Sequence, residues 1–211
     1  MMLKKTKIIS GILTVALFLS CFAVFPQNVQ AKTATDQIRK LTNQMENYEY
    51  KLLSSGTKEV TLTKAEKAKA AALSIKRTEK NHIKVAEFGE NDIYKITNKK
   101  LKTAGKNLFG TTVSAKNLPK KGNGDGIYDA YRKGSTPVVS VANIETESDY
   151  VVHSTDITRK SANTYQVKKD LYYGYWGSNQ GQSNYEIIYQ VKKSSKSAYG
   201  YVITNMKITS I

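Results

Sequence analysis

Apolar residues recur at helical spacing through the first half of the chain and at alternate positions through the second. Between Asp36 and Leu53, the residues Ile38, Leu41, Met45, Tyr48 and Leu52 follow one another at intervals of three and four, on one helical face. Ser54-Ser55-Gly56 ends this helix. Thr63-Lys-Ala-Glu66 has the form of a capping box, in which hydroxyl and carboxylate each satisfy a free backbone donor at a helix start. It predicts a second helix running to about Lys80, with Ala68, Ala72 and Ile75 as a stripe small enough for close approach of a neighbour. A third helix is expected from Thr97, burying Leu101, Ala104, Leu108 and Phe109, with Gly110 in the left-handed position at its end. Ile83 to Ile96 is short apolar alternation broken by Gly89 and reads equally as strand or extended linker.

From Ile127 the period changes to two. Val139, Val141 and Tyr150 to Val152 suit strands, and Thr164 to Trp176 reads as another, with Tyr165, Val167, Leu171, Tyr173 and Tyr175 at odd positions. Tyr185, Ile187, Tyr189 and Val191 alternate with polar neighbours, a turn falls near Ser194 to Ser197, and Tyr199 to Ile208 returns as a hairpin. No helical pattern interrupts these strands, so an antiparallel meander is favoured over a parallel sheet, which needs crossover helices. The fold class is α+β, with residues 32–121 mostly helical and 122–211 mostly sheet within one domain.

The order of elements and three segments resemble the nuclear transport factor 2-like group of the cystatin-like superfamily, in small exported proteins of Gram-positive bacteria without assigned activity. The segments are the helix end Asn107-Leu-Phe-Gly110, the stretch Asp125-Gly-Ile-Tyr128-Asp-Ala-Tyr131, and the hairpin Asn184-Tyr-Glu-Ile-Ile-Tyr189 to Tyr199-Gly-Tyr-Val-Ile203. The resemblance implies a cone-shaped domain with helices packed in the concavity of a curved antiparallel sheet. Catalytic members of that fold carry Asp and His in the pocket; neither maps onto a position here, so no catalytic residue is carried over.

The amino terminus sets the expected compartment. Lys4, Lys5 and Lys7 precede an uncharged stretch from Ile8 to Phe25, then Pro26 and the small-residue site Val29-Gln30-Ala31. This is the pattern of a secretory signal peptide cut after Ala31, giving residues 1–31 as the signal and 32–211 as the mature domain. The alternatives are an uncleaved membrane anchor and a lipoprotein modified at Cys21, although Phe18 and the apolar run past Cys21 depart from the lipoprotein pattern. Cys21 is the only cysteine. The mature domain therefore has no disulfide, thiol nucleophile or Cys-ligated metal, and its fold rests on packing.

The chain carries 33 basic and 17 acidic residues. Without its three leader lysines the mature part has 30 against 17, a net charge of +13. In an exported protein that excess points away from nucleic acid and toward an anionic cell-wall polymer, acidic glycan or lipid headgroup. The pairs Lys99-Lys100, Lys120-Lys121, Lys168-Lys169 and Lys192-Lys193 are scattered, as on a solubilising surface.

Candidate chemistry is sparse. His82 falls at a predicted helix end, and His153 lies in a predicted strand with Ser154 on the opposite face, so the two cannot pair as base and nucleophile. Two separated histidines give too few ligands for zinc. Residues 121–129 partly match a calcium loop, but Lys121 and Arg132 occupy positions where carboxylates belong, and no metal or cofactor is expected. The strongest signal is aromatic: Tyr173, Tyr175 and Trp176, beside Gly174 and a polar loop, form a candidate stacking platform for a sugar or aliphatic ligand, against the plainer alternative of cross-strand packing. The expected function is an exported, non-catalytic binding or interaction module of a Gram-positive-type cell envelope. The alternatives are an enzyme with a pocket between helices and sheet, for which Asp149, Asp156 and Asp170 are the acids nearest strands, and a cystatin-like inhibitor docking through loops such as Ser178 to Ser183.

Overall fold

The computed structural model describes residues 27–75, 83–88, 91–122, 128–142, 148–175 and 183–211. The chain divides into two units, Met1–Asp36 and Gln37–Ile211. In the first, the described residues 27–36 are helical. The apolar stretch Ile8 to Phe25, with Cys21, lies outside the described residues, among which no helix is long and apolar enough to cross a membrane. The second unit is α+β, with all its strand ladders antiparallel.

The helical pattern over Asp36 to Leu53 forms two helices rather than one, α1 (Gln27–Asn43) and α2 (Glu46–Ser54). The break centres on Thr42. Its hydroxyl bonds back to the carbonyls of Ile38 and Arg39, both at 3.2 Å. Its carbonyl accepts from the Met45 N–H at 3.1 Å and from Lys169 Nζ at 3.1 Å. A carbonyl taken by a short-range turn and by a distant ammonium no longer serves the helical ladder, so the chain turns at Gln44 and Met45 and restarts. The expected stripe survives the break: Ile38, Leu41, Met45, Tyr48 and Leu52 are all buried.

Helix α3 (Lys64–Leu73) starts where the capping pattern places it, with Thr63 Oγ1 accepting from the Glu66 N–H at 3.2 Å. The Glu66 carboxylate instead accepts from Tyr48 Oη at 2.6 Å and Lys69 Nζ at 2.8 Å, so it ties α2 to α3. Ala70 and Ala71 are buried along with Ala68 and Ala72, because this small-residue helix packs against α2, α4 and the first sheet at once. Helix α4 (Asn98–Phe109) is capped by Thr97 Oγ1, which accepts from the Lys100 N–H, and ends at Gly110 with φ 67°.

The ambiguous stretch after α3 forms a hairpin of β1 (Ile83–Phe88) and β2 (Asn91–Lys95). With β3 (Asp129–Lys133) and β4 (Thr136–Ala142) it makes a four-stranded sheet of order β1-β2-β4-β3. The second sheet is a meander in chain order: β5 (Ser148–Arg159), β6 (Thr164–Tyr175), β7 (Ser183–Lys193) and β8 (Tyr201–Ser210). The strands thus fall into two sheets where the sequence suggests one. The reason lies in β4, whose two edges are filled by β2 and β3, as in the registers Tyr94↔Val139 and Ala130↔Val139. Helix α4 touches both β4 and β8. The Asn107 carbonyl accepts from Ser197 Oγ at 2.6 Å, and its side-chain oxygen accepts from the Ala198 N–H at 3.1 Å, anchoring the turn between β7 and β8.

Two consequences are measurable. A Cβ at Gly110 meets Val202 Cγ1 at 3.3 Å in a left-handed backbone, so Gly110→Ala is expected to cost about 1–2 kcal/mol, read as a lowered urea midpoint. Burial, followed by the charge and hydrogen bond of Glu66, holds the Tyr48 phenol above its usual value. Below about pH 10 both folded and unfolded chains keep this proton and stability is intact; above it only the unfolded chain releases the proton, and stability falls. Urea titrations are expected to show that decline beginning near pH 10, with a shallower slope in Tyr48→Phe; an unchanged slope contradicts the assignment.

Candidate functional site

Alternation along β6 buries Val167 and Leu171 on one face and leaves Lys168 and Asp170 half-buried on the other. The same alternation puts Lys169 among the apolar side chains, paired in register with the buried Ile187 and only 2% exposed. Lys168-Lys169 is therefore not a surface pair. Lys168 lies on the outer face and pairs with Glu186 at 2.7 Å and Asp170 at 3.4 Å. Lys169 Nζ reaches Glu49 Oε1 at 2.8 Å and the Thr42 carbonyl at 3.1 Å, and lies 5.7 Å from the centre of the Tyr189 ring.

Glu49 is fully buried, and its Oε1 also accepts from Tyr189 Oη. Helix α2 supplies the acid, β6 the base and β7 the phenol, while the chain end of α1 supplies the carbonyl. Removing two opposite charges from water costs several kcal/mol per ion, and only close pairing with further hydrogen bonds offsets it. Both conditions are met here. A second tie, Lys51 Nζ to Asp129 Oδ1 at 3.1 Å, joins α2 to β3 of the other sheet.

Above this pair opens a cleft of about 320 Å³. Arg39 and Asn43 of α1, Glu46 of α2, and Val152 and Thr155 of β5 form its walls, with Glu49 and Lys169 at its base. Val152 and Thr155 are three residues apart and would face opposite sides of a regular strand. A bulge at His153 shifts the register between Val152 and Ser154, so Val152 pairs with Leu171 and Thr155 with Lys169, both on the helix-facing side. Strand β5 is an edge of the second sheet, and Val151 and Val152 are 45% and 39% exposed. A second hollow of about 360 Å³, bordered by Gln44, Ser74, Lys100, Thr103 and Tyr199, has no acidic group among its described lining residues.

The aromatic candidates separate. Tyr173 is half-buried on the helix-facing side and meets the Tyr50 ring edge-on at 5.4 Å; Tyr50 also meets Tyr128 at 5.0 Å. That is aromatic packing between α2 and β6. The backbone of Tyr175 pairs with Ser148, its side chain is not among those described, and Trp176 lies outside the described residues, as do His82 and loop residues 178–182. His153 is exposed, with its ring 6.3 Å from that of Tyr172. Ser154 Oγ donates to Asp170 Oδ2 at 2.9 Å on the outer face. Asp156 is exposed, Asp149 has no described side chain, and neither Asp156 nor Asp170 borders the cleft. In the calcium-like stretch, residues 123–127 lie outside the described residues, and Asp129 is engaged by Lys51. Among the described residues no three His, Cys, Asp or Glu side chains cluster as metal ligands.

Sequence reasoning passed over Glu49 and Lys169. The signal was present in β6, where Lys169 occupies an odd position between Val167 and Leu171, on the side the alternation assigns to the core. No family model, curated protein or solved structure matches the chain.

Removal of one member of the pair exposes its weight. Lys169→Met leaves the Glu49 carboxylate buried without its cation and is expected to cost about 3–5 kcal/mol. Adding Glu49→Gln to that variant should restore part of the loss, since an amide still accepts from Tyr189. Urea unfolding of the two variants decides this; a single-variant loss below about 1 kcal/mol, the range of exposed pairs, contradicts it.

Proposed function

We propose that this protein is an exported, non-catalytic binding or interaction module of a Gram-positive-type cell envelope, on a nuclear transport factor 2-like plan, and that the cleft beside β5 is its ligand site. The amino-terminal pattern of Lys4, Lys5 and Lys7, the run to Phe25 and Val29-Gln30-Ala31 supports export. The fold plan is supported by helices preceding a long antiparallel meander. One observation carries the binding reading: the ionisable groups at the cleft base are engaged by one another and by Thr42 and Tyr189, while those at its rim are exposed. Groups held by several partners serve as a fixed floor, whereas a general acid or base needs a proton exchanged with substrate.

A second reading, an enzyme in which Glu49 or Lys169 performs that exchange, is favoured by their convergence at one cleft. Its mark would be turnover lost in Glu49→Gln.

Isolated cell envelopes and a glycan array, probed at low and high salt, test the proposal. Retention that survives high salt and is lost in Arg39→Gln supports the cleft, and loss in Trp176→Ala supports the aromatic segment. Retention abolished by salt assigns the interaction to the lysine surface alone. Absence of retention at both salts, or accumulation of unprocessed chain inside cells, overturns the proposal.

A further inference from the structure

The net charge of the chain is +16, yet among the described residues the lining of the cleft is balanced in sign. Two cations, Arg39 and Lys169, and two acids, Glu46 and Glu49, border it. Glu49 and Lys169 neutralise each other at its base, whereas Arg39 and Glu46 are exposed at the wall. Among the described residues, the Arg39 guanidinium has no ion-pair partner, and neither does the Glu46 carboxylate. An arginine and a glutamate thus line one small opening, each without a counter-ion among the described residues, so the wall offers one anion-seeking and one cation-seeking group.

The base adds directionality. An ammonium has three hydrogens, and the Thr42 carbonyl and Glu49 account for two of those on Lys169. The remaining donor belongs to a side chain that is 2% exposed and borders the cleft. A donor in such a place interacts strongly with an acceptor oxygen that displaces water, because the surroundings screen it weakly. This donor favours an oxygen acceptor deep in the cleft, and the exposed Glu46 carboxylate favours a cationic group at its wall.

From this arrangement we propose that the cleft binds a small zwitterion of amino-acid or dipeptide size, with its carboxylate toward Lys169 and Arg39 and its ammonium toward Glu46. The inference rests on the cleft being a ligand site, and it names the ligand class. The volume, about 320 Å³, is at the lower end for small-molecule sites, which suits such a ligand and not a polymer enclosed along its length. Val152 supplies an apolar wall for a side chain, and Thr155 a hydroxyl for a peptide group. A polyanion drawn by the lysine surface would be repelled at Glu46, where the ammonium of a zwitterion is attracted.

The test uses isotopically labelled protein purified after expression of the full chain, titrated with glycylglycine and followed through the backbone amide signals of Val152 and Thr155. Glycylglycine is expected to shift both saturably. N-acetylglycylglycine, which lacks the ammonium, and glycylglycinamide, which lacks the carboxylate, are each expected to bind at least about tenfold more weakly, or 1.4 kcal/mol. Arg39→Gln and Glu46→Gln, both at exposed positions, are expected to weaken glycylglycine by a similar factor without shifting the urea midpoint. N-acetylglycylglycine binding as tightly as the parent overturns the zwitterion assignment while leaving a carboxylate site and the binding-module reading intact. No shift at Val152 and Thr155 with any of the three also overturns it, and envelope retention then decides the binding-module reading separately.

Discussion

The Glu49–Lys169 pair is the constraint around which the second unit is arranged. A lysine placed in the apolar face of β6 has to find an anion and further acceptors inside the protein. Helix α2 must then lie so that Glu49 meets it at 2.8 Å, and α1 must end so that the Thr42 carbonyl meets it at 3.1 Å. The break between α1 and α2 follows from the same requirement, because the carbonyl that would continue the helix is engaged elsewhere. Tyr189 completes the set from the neighbouring strand. One polar junction thereby fixes two helices and two strands, where apolar contacts alone would tolerate several registers.

From that junction the remaining architecture spreads outward through directed contacts. Tyr48 and Glu66 carry the position of α2 to α3, and Lys51 and Asp129 carry it to β3. The alanine face of α3 lets α2, α4 and the first sheet approach closely, and α4 reaches across to β8. The cleft forms where this assembly stops short of the β5 edge. Its base is rigid because Glu49 and Lys169 are held by several partners, and its wall is placed by the bulge at His153. Pre-organised polar groups of this kind give selectivity at little ordering cost on binding.

Much of the fold was legible because local chemistry and tertiary demand agreed. Thr63 and Thr97 start helices, Gly110 ends one, and the alternation in β6 to β8 matches the buried face. Three features were not legible, each for a physical reason. The helix break after Thr42 depends on a lysine 127 residues from Thr42 in sequence, and no local propensity announces it. The partition into two sheets depends on which edges of β4 are filled, a choice made by pairing and not by periodicity. The cleft wall depends on one extra residue at His153, which reverses the facing of everything after it in β5. The buried pair itself was half visible, since a lysine in an apolar register demands a partner, but Glu49 sits between two tyrosines in a helix and looks like a surface acid. Near Tyr173 the aromatic density packs on Tyr50, which in turn meets Tyr128.

The most direct measurement is the nitrogen–proton correlation spectrum of the lysine ammonium groups at neutral pH. The account predicts a resolved, slowly exchanging signal from Lys169 that persists at high salt and shows a through-space contact with the Tyr189 ring protons, against rapid averaging for the exposed lysines. A Lys169 ammonium that exchanges with water as fast as Lys192 and Lys193, with no contact to Tyr189, would contradict it.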